Sequence, residues 1–374
     1  MRWIALGAAV LAAACSGPSG PLPAELQDIP KAKDVRVLWT ASVGRADRFT
    51  FFPAPVGDAV YATARDGTVT RLDAAKGDVR WRVELELQLS GGVGADAGTV
   101  AVVSEEGEVV ALEAQTGKER WRARASSEAL APPAVGAGLV LVRSIDNRVF
   151  AFGVNDGKRR WVYQRAPSSL VVRAPAGITI DATVAYVGFP GGKLAALALD
   201  NGALRWEATV ATPRGNTELE RVTDVIGGPA LVGKEVCAAA YRGRVGCYDA
   251  TTGRQLWTRE LPALTGVAVD ARYLFVADEG GALHALDRSN GAPVWKQEQL
   301  AYRSLSPALA AGEAVAVGDF EGYIHFLARD SGDFLARYMT HGGAVRASPL
   351  QFSAGPRTGI LVLTEEGDLV ALAL

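Results

Sequence analysis

Three histidines and three cysteines are the rarest residues of this chain that could carry chemistry. His284, His325 and His341 stand in separate stretches with no metal-ligand spacing. His284 and His325 fall in alternating apolar runs and read as packed or surface side chains. Glu105-Glu106 and Glu365-Glu366 flank turn glycines, where solvated charge is the ordinary outcome. Gly91-Gly92-Val93-Gly94 opens an apolar run and does not form a phosphate loop. There is no vicinal cysteine pair, no Cys-x-x-Cys-His haem motif and no recognisable nucleophile–base pattern. This inventory points away from an enzyme and assigns no catalytic, metal or cofactor-binding residue.

Cys237 and Cys247 carry more information. Between them, Tyr241-Arg242-Gly243 suits a three-residue hairpin loop with Gly243 in the left-handed position. Ala240 then pairs with Arg244, and counting outward sets Cys237 opposite Cys247. Alternation along the ladder makes this a non-hydrogen-bonded pair, with Cα atoms ~4.5 Å apart. That lies in the disulfide range of ~4.4–6.8 Å. Two outcomes stay open, a disulfide or two small buried thiols on one face. A two-residue turn would put the side chains on opposite faces.

The third cysteine belongs to a targeting signal. Arg2 is followed by an apolar run of twelve residues, Trp3–Ala14. That is too short for a bilayer, which needs ~20 residues, and it predicts a signal peptide over residues 1–14. Leu11-Ala12-Ala13-Ala14-Cys15 resembles a bacterial lipobox, with Ala12 where Leu is usual. The resemblance implies lipidation of Cys15; the other reading is an ordinary signal peptide. Ser16, not Asp, follows Cys15, which by resemblance to proteobacterial lipoproteins implies delivery to the outer membrane. Residues 15–34, rich in Pro, Gly, Ser and Ala, read as a flexible tether. Export places the cysteines in an oxidising compartment.

The remaining chain must position these groups. Its 374 residues carry 39 Lys+Arg against 41 Asp+Glu, a net charge of −2, which leaves no footprint for nucleic acid. Hydrophobic residues at 49% and charged residues at 21% exclude a disordered chain. Gly followed four residues later by Trp recurs at Gly77/Trp81, Gly117/Trp121, Gly157/Trp161, Gly202/Trp206, Gly253/Trp257 and Gly291/Trp295. The Trp intervals are 40, 40, 45, 51 and 38. Trp39 begins the series, and Gly332 continues it with Ala336 in the Trp place. A period in the forties with alternating apolar residues predicts propeller blades of four strands.

Eight hairpins centre on Gly67, Gly107, Asn147, Gly191, Gly243, Gly280, Gly322 and Gly367. The last ends at the C-terminus without an outer strand. Val35–Ser42, around Trp39, supplies the missing one and closes the ring, which removes exposed sheet edges. The expectation is a single all-β domain over residues 35–374, an eight-bladed β-propeller of four-stranded antiparallel blades. The repeated Trp reads as a wedge between blades.

The form Asp-x-x-x-Gly-x-x-x-Trp of Asp73–Trp81, Asp249–Trp257 and Asp287–Trp295, preceded by Ala-x in the last, resembles pyrroloquinoline-quinone (PQQ) propeller repeats. Ser168–Arg173, Arg214–Val225, Gly318–His325 and Asp330–Ala336 further resemble the BamB family, lipoprotein subunits of the outer-membrane β-barrel assembly machine. That resemblance implies a non-enzymatic scaffold without cofactors, at the periplasmic face of the outer membrane, touching the membrane through its lipid anchor alone. It implies as partners the periplasmic POTRA domains of BamA, other Bam subunits and unfolded outer-membrane proteins. Matching segments of the family carry the BamA contacts, which places Leu170, Val172, Arg173 and Asp224 in the docking surface. Leu170 and Val172 would share one side of an extended segment, with Arg173 at its edge. The bland alternative packs both inside a blade. Ile226 departs from the family, standing where an acid is frequent. Two other functions share the repeat: a PQQ-dependent dehydrogenase, and a generic envelope propeller binding another protein or a glycan. Most repeats here have near-minimal length, which leaves little chain for a quinone pocket.

Overall fold

The computed structural model describes residues 20–166, 170–355 and 357–374. The signal peptide, Cys15 and Ser168-Ser169 lie outside the described residues. Among the described residues, thirty-two strands form eight four-stranded antiparallel sheets, each one blade. Seven blades use consecutive strands. The eighth combines Leu350–Ala354, Arg357–Leu363 and Asp368–Ala373 with the N-terminal strand Arg36–Ser42. The first strand of each blade touches that of the next, and Ala54–Val56 against Leu350–Ala354 closes the ring. No helix among the described residues could cross a membrane.

Burial along each blade follows from its place in the ring. Second and third strands are covered on both faces and read almost continuously apolar, as in Leu139–Arg143 and Arg148–Gly153 of blade 3. The outer strand faces solvent on one side, so Arg159–Gln164 alternates, with Trp161 turned inward. The cores lie between blades. Leu141, Val149, Ala151 and Trp161 of blade 3 pack on Ala185, Val187, Phe189 and Leu197 of blade 4.

The repeated Trp and Gly meet across that interface. Each Trp stands on the outer strand of one blade and reaches the next. The indole N–H groups of Trp39, Trp81, Trp121, Trp161, Trp206, Trp257 and Trp295 donate to the carbonyls of Ala74, Ala114, Val154, Leu199, Ala250, Arg288 and Arg329, at 2.6–3.1 Å. The ring lies on the next blade's repeat glycine. A Cβ on Gly202, whose φ is +73°, would sit 2.6 Å from the Trp161 ring. Glycine is required there twice over, for the left-handed backbone and for the approach of the indole. Gly and Trp, four apart in sequence, therefore serve opposite neighbours.

Between blades 7 and 8 Ala336 takes the Trp place. Leu335 and Tyr338 fill that seam with Val35, Ile360 and Leu372. The N-terminal segment runs over the same region. Residues 24–33, read from composition as part of a free tether, are instead bonded to the propeller. Ala24 N donates to Ala301 O at 2.9 Å and Lys33 N to Leu335 O at 2.8 Å. Arg303 Nη1 donates to Ala24 O, and Arg337 Nη1 to Gln27 O. Composition favours a tether, but exposed backbone carbonyls beside two arginines find donors.

In blade 5, Cys237 pairs with Cys247 across the second and third strands, and the two form a disulfide with Cα atoms 4.0 Å apart. The three-residue loop is present, but the left-handed residue is Arg242, with φ +48°, not Gly243. The left-handed position thus lies one residue earlier, where the turn is held from outside by Arg242 N donating to Ala263 O at 3.0 Å.

Candidate protein-docking site

The outer strand of each blade connects to the inner strand of the next by a loop on one face of the disc. Three of these loops, with described residues 125–133, 170–177 and 210–224, meet beside blades 3 to 5. Leu170, Val172 and Arg173 lie in the second. They are not strand residues packed inside a blade: Leu170 sits in a bend and is 43% exposed, Val172 is half-buried and Arg173 is exposed. The alternation expected of an extended strand is thus replaced by a loop whose shape depends on its neighbours.

Two contacts fix that shape. Asp224, 5% exposed, accepts hydrogen bonds from Val172 N at 2.7 Å and from Gly191 N at 3.2 Å. It ties the loop between blades 3 and 4 to the hairpin of blade 4. Burial pushes its carboxyl above the usual range, against the pull of those amides and the Arg143 charge. Arg173 makes a two-pronged ion pair with Glu128, Nη1 to Oε1 at 2.7 Å and Nη2 to Oε2 at 3.1 Å. The structure therefore brings together all four residues read from the sequence, but in different roles. Leu170 is presented outward, Arg173 clamps a neighbouring loop, and Asp224 supports the loop from below.

Ile226 is buried and packs with Ala174, so the apolar residue at this place completes a core. The insertion that lengthens one repeat carries an exposed turn. Glu220 accepts from Asn216 N and Thr217 N, and Leu219 stands exposed at its tip.

Beneath the loop lies a cavity of about 270 Å³, lined by Leu130, Arg143, Asn147, Leu170, Val172 and Asp224 among others. Ala131, Ala174 and Ile226 also line the central funnel, a cavity of about 380 Å³ with mostly apolar walls. Sequence reasoning missed Glu128, Arg143 and Asn147. Asn147 stands in the sequence reading only as a hairpin centre; a non-glycine in the turn place held by Gly67 and Gly107, with φ +65°, is the signal that singles it out. Arg143 left a signal too, a charge at the end of the apolar run Leu139-Val140-Leu141-Val142.

The histidines lie elsewhere. His284 Nε2 contacts Asp278 Oδ2 at 2.8 Å, and His325 Nε2 contacts Asp319 Oδ2 at 3.0 Å. Each Asp also closes its hairpin by accepting backbone N–H groups, from Ala282 in one and from Glu321 and Tyr323 in the other. No group of three His, Cys, Asp or Glu among the described residues could hold a metal.

With this geometry in view, the likeness to known proteins is specific. Residues 65–297 match the family model described as outer membrane protein assembly factor BamB. The protein of that name from Bordetella pertussis is 42% identical over 93% of this chain and 89% of its own length. The one from Pseudomonas aeruginosa is 44% identical over 93% of this chain and 92% of its own. The crystal structure of BamB from Moraxella catarrhalis superposes with a TM-score of 0.82 at 25% identity, covering 91% of this chain and all of that one. A quinohemoprotein alcohol dehydrogenase from Pseudomonas putida superposes at 0.73 with 14% identity, over 90% of this chain and 75% of that one, a likeness of fold alone. On the family match, on identity along nearly the whole chain and on the closed eight-bladed ring, this chain belongs to the BamB family of outer membrane protein assembly factors.

Proposed function

We propose that this protein is a non-enzymatic scaffold subunit of the outer-membrane barrel-assembly machine. It sits on the periplasmic face of the outer membrane, anchored by a lipid on Cys15. It docks on the periplasmic POTRA domains of BamA through the loop carrying Leu170, Val172 and Arg173. Family membership supports the assembly role, since the relatives bear that name over most of their length.

The observation that carries the docking site is the exposed Leu170 on a loop braced at two points, by Asp224 at Val172 N and by Glu128 at Arg173. A braced apolar side chain loses little entropy on binding and makes a good anchor. The test is co-purification of BamA from solubilised envelopes with wild type, Leu170→Asp and Arg173→Ala. Loss of BamA with an unchanged β-sheet spectrum and Tm supports the site. Retention of BamA by both variants, or loss only with the fold, sinks it. The dehydrogenase reading predicts a quinone absorption band and dehydrogenase activity on adding PQQ and Ca²⁺; on the scaffold reading neither develops.

A further inference from the structure

Arg143 stands where the other blades are small or apolar. It ends the second strand of blade 3 and pairs with Val149. The residues in the same register are Thr63, Val103, Gly188, Ala239, Ala277, Gly318 and Leu363. The other seven blades build this position without a cation.

Nor is that cation fully partnered. Arg143 Nε is buried with no hydrogen-bond partner among the described residues. Its guanidinium lies 5.6 Å over the ring of Phe189. Burial pulls Arg143 down to about 10, offset only in part by the charge of Asp224. Asp224 spends its two oxygens on Val172 N and Gly191 N. Asn147 lines the same cavity. Its Nδ2 donates to Ala166 O at 3.4 Å, which fixes the amide orientation, and its Oδ1 is buried and unpartnered among the described residues. Buried polar groups are almost always hydrogen-bonded, so two unpartnered atoms on side chains that line one cavity mark a place for a ligand's polar groups. The donor asks for an anion and the acceptor asks for an N–H. An inorganic anion satisfies only the first, whereas an acidic residue of a peptide chain brings both.

We propose that this cavity receives an acidic side chain of the docking partner, its carboxylate against Arg143 and a peptide N–H against Asn147 Oδ1. The proposal rests on the docking reading above and names the group that enters the site. Leu170 and Val172, on the rim, cover the pair and exclude water, which strengthens it. Arg143 then sets partner specificity, since an amide in place of the carboxylate leaves the cation unmatched.

The test is a set of double-mutant cycles. Binding of the full lipoprotein to detergent-solubilised BamA is measured for wild type, Arg143→Met, Arg143→Gln and Leu170→Asp. Each is tested against BamA variants in which one surface Asp or Glu of the POTRA domains becomes Asn or Gln. We expect Arg143→Met to weaken binding roughly tenfold or more. One BamA variant should show the same loss against wild type and no further loss against Arg143→Met. Loss on Leu170→Asp combined with additive effects for every BamA carboxylate would overturn this proposal alone. Undiminished binding by Leu170→Asp would overturn the docking reading and this proposal with it. If Arg143→Met does not fold, as judged by its Tm, Arg143→Gln takes its place in the cycle. Glutamine removes the charge while keeping a polar end, and additive effects there would count equally against the proposal.

Discussion

Asp224 Oδ2 accepts a 2.7 Å hydrogen bond from the amide of Val172, fifty-two residues earlier in the chain. One carboxylate thus sets the height of the proposed docking loop above blade 4. Hydrogen bonds from neutral donors to a charged acceptor are worth ~1.5–3 kcal/mol. Asp224→Ala should lower unfolding free energy by about that amount. The Val172 and Gly191 amides should then exchange with solvent faster while amides of blades 1 and 2 keep their rates. Hydrogen exchange with mass spectrometry reads both; unchanged exchange at Val172 would show that the loop holds its shape without Asp224.

The indole–glycine seam makes a second prediction. Gly202→Ala forces a Cβ onto the Trp161 ring at a left-handed backbone position. The strain is of order 1–3 kcal/mol. Trp161→Ala removes a large buried ring and its bond to Leu199 O, and should cost ~3–5 kcal/mol. Because the two residues touch, the double variant should lose less than the sum of the singles. Urea unfolding of the four proteins checks this, and strict additivity would contradict the contact.

For the Cys237–Cys247 disulfide, the closed loop is short, with a sequence separation of 10. Loop-closure entropy then gives a contribution of ~2–3 kcal/mol. A Cys237→Ala/Cys247→Ala double variant should melt several degrees lower and, on the proposed docking, still bind BamA, since neither side chain lines the cavity beneath Leu170 and Val172. Thiol titration of denatured, unreduced wild type should find neither of these two thiols free.

His325 makes stability pH-dependent. It is buried between Asp319, which accepts from its Nε2, and Arg337, whose Nε donates to its Nδ1 at 3.2 Å. Arg337 can only donate, so Nδ1 carries a lone pair and the ring is neutral. Burial lowers the His325 pKa below its ordinary 6.5; the Asp319 contact opposes this, and the charges of Arg337 and Arg303 add to the lowering. Burial works to raise Asp319, but its bonds to His325 and Arg303 outweigh that and hold it below 3.8. The sign is the same for both groups. As pH falls below about 6.5, the unfolded chain takes up the histidine proton before the native one does, so stability falls with it. Asp319 adds a further loss below about 3.8. His325→Gln should flatten the decline of Tm between pH 7.5 and 5. An equal slope in wild type and variant would assign the decline to other groups.

The local, repeated part of the protein is written in the order of its residues. Turn glycines, a Trp every forty-odd residues and period-two alternation fix hairpins, and hairpins at that spacing fix blades. The missing last strand and the surplus first one fix closure of the ring. Even the pairing of Cys237 with Cys247 was legible, because a hairpin's register depends on a three-residue loop between them. Leu170, Val172, Arg173 and Asp224 were legible only through their family resemblance.

Tertiary structure decided what those residues do. Asp224 and Val172 meet because the loops between blades 3, 4 and 5 fall on one face of a closed disc. Arg173 finds Glu128 rather than a partner's acid for the same reason. Arg303 and Arg337 capture the carbonyls of Ala24 and Gln27 across most of the chain's length. Arg143 stands apart only once its register against seven other blades is set. Strand pairing is encoded by neighbours a few residues apart. The partner of a buried charge is chosen by which loops the closed ring brings together, and one chain read in order does not show that distance.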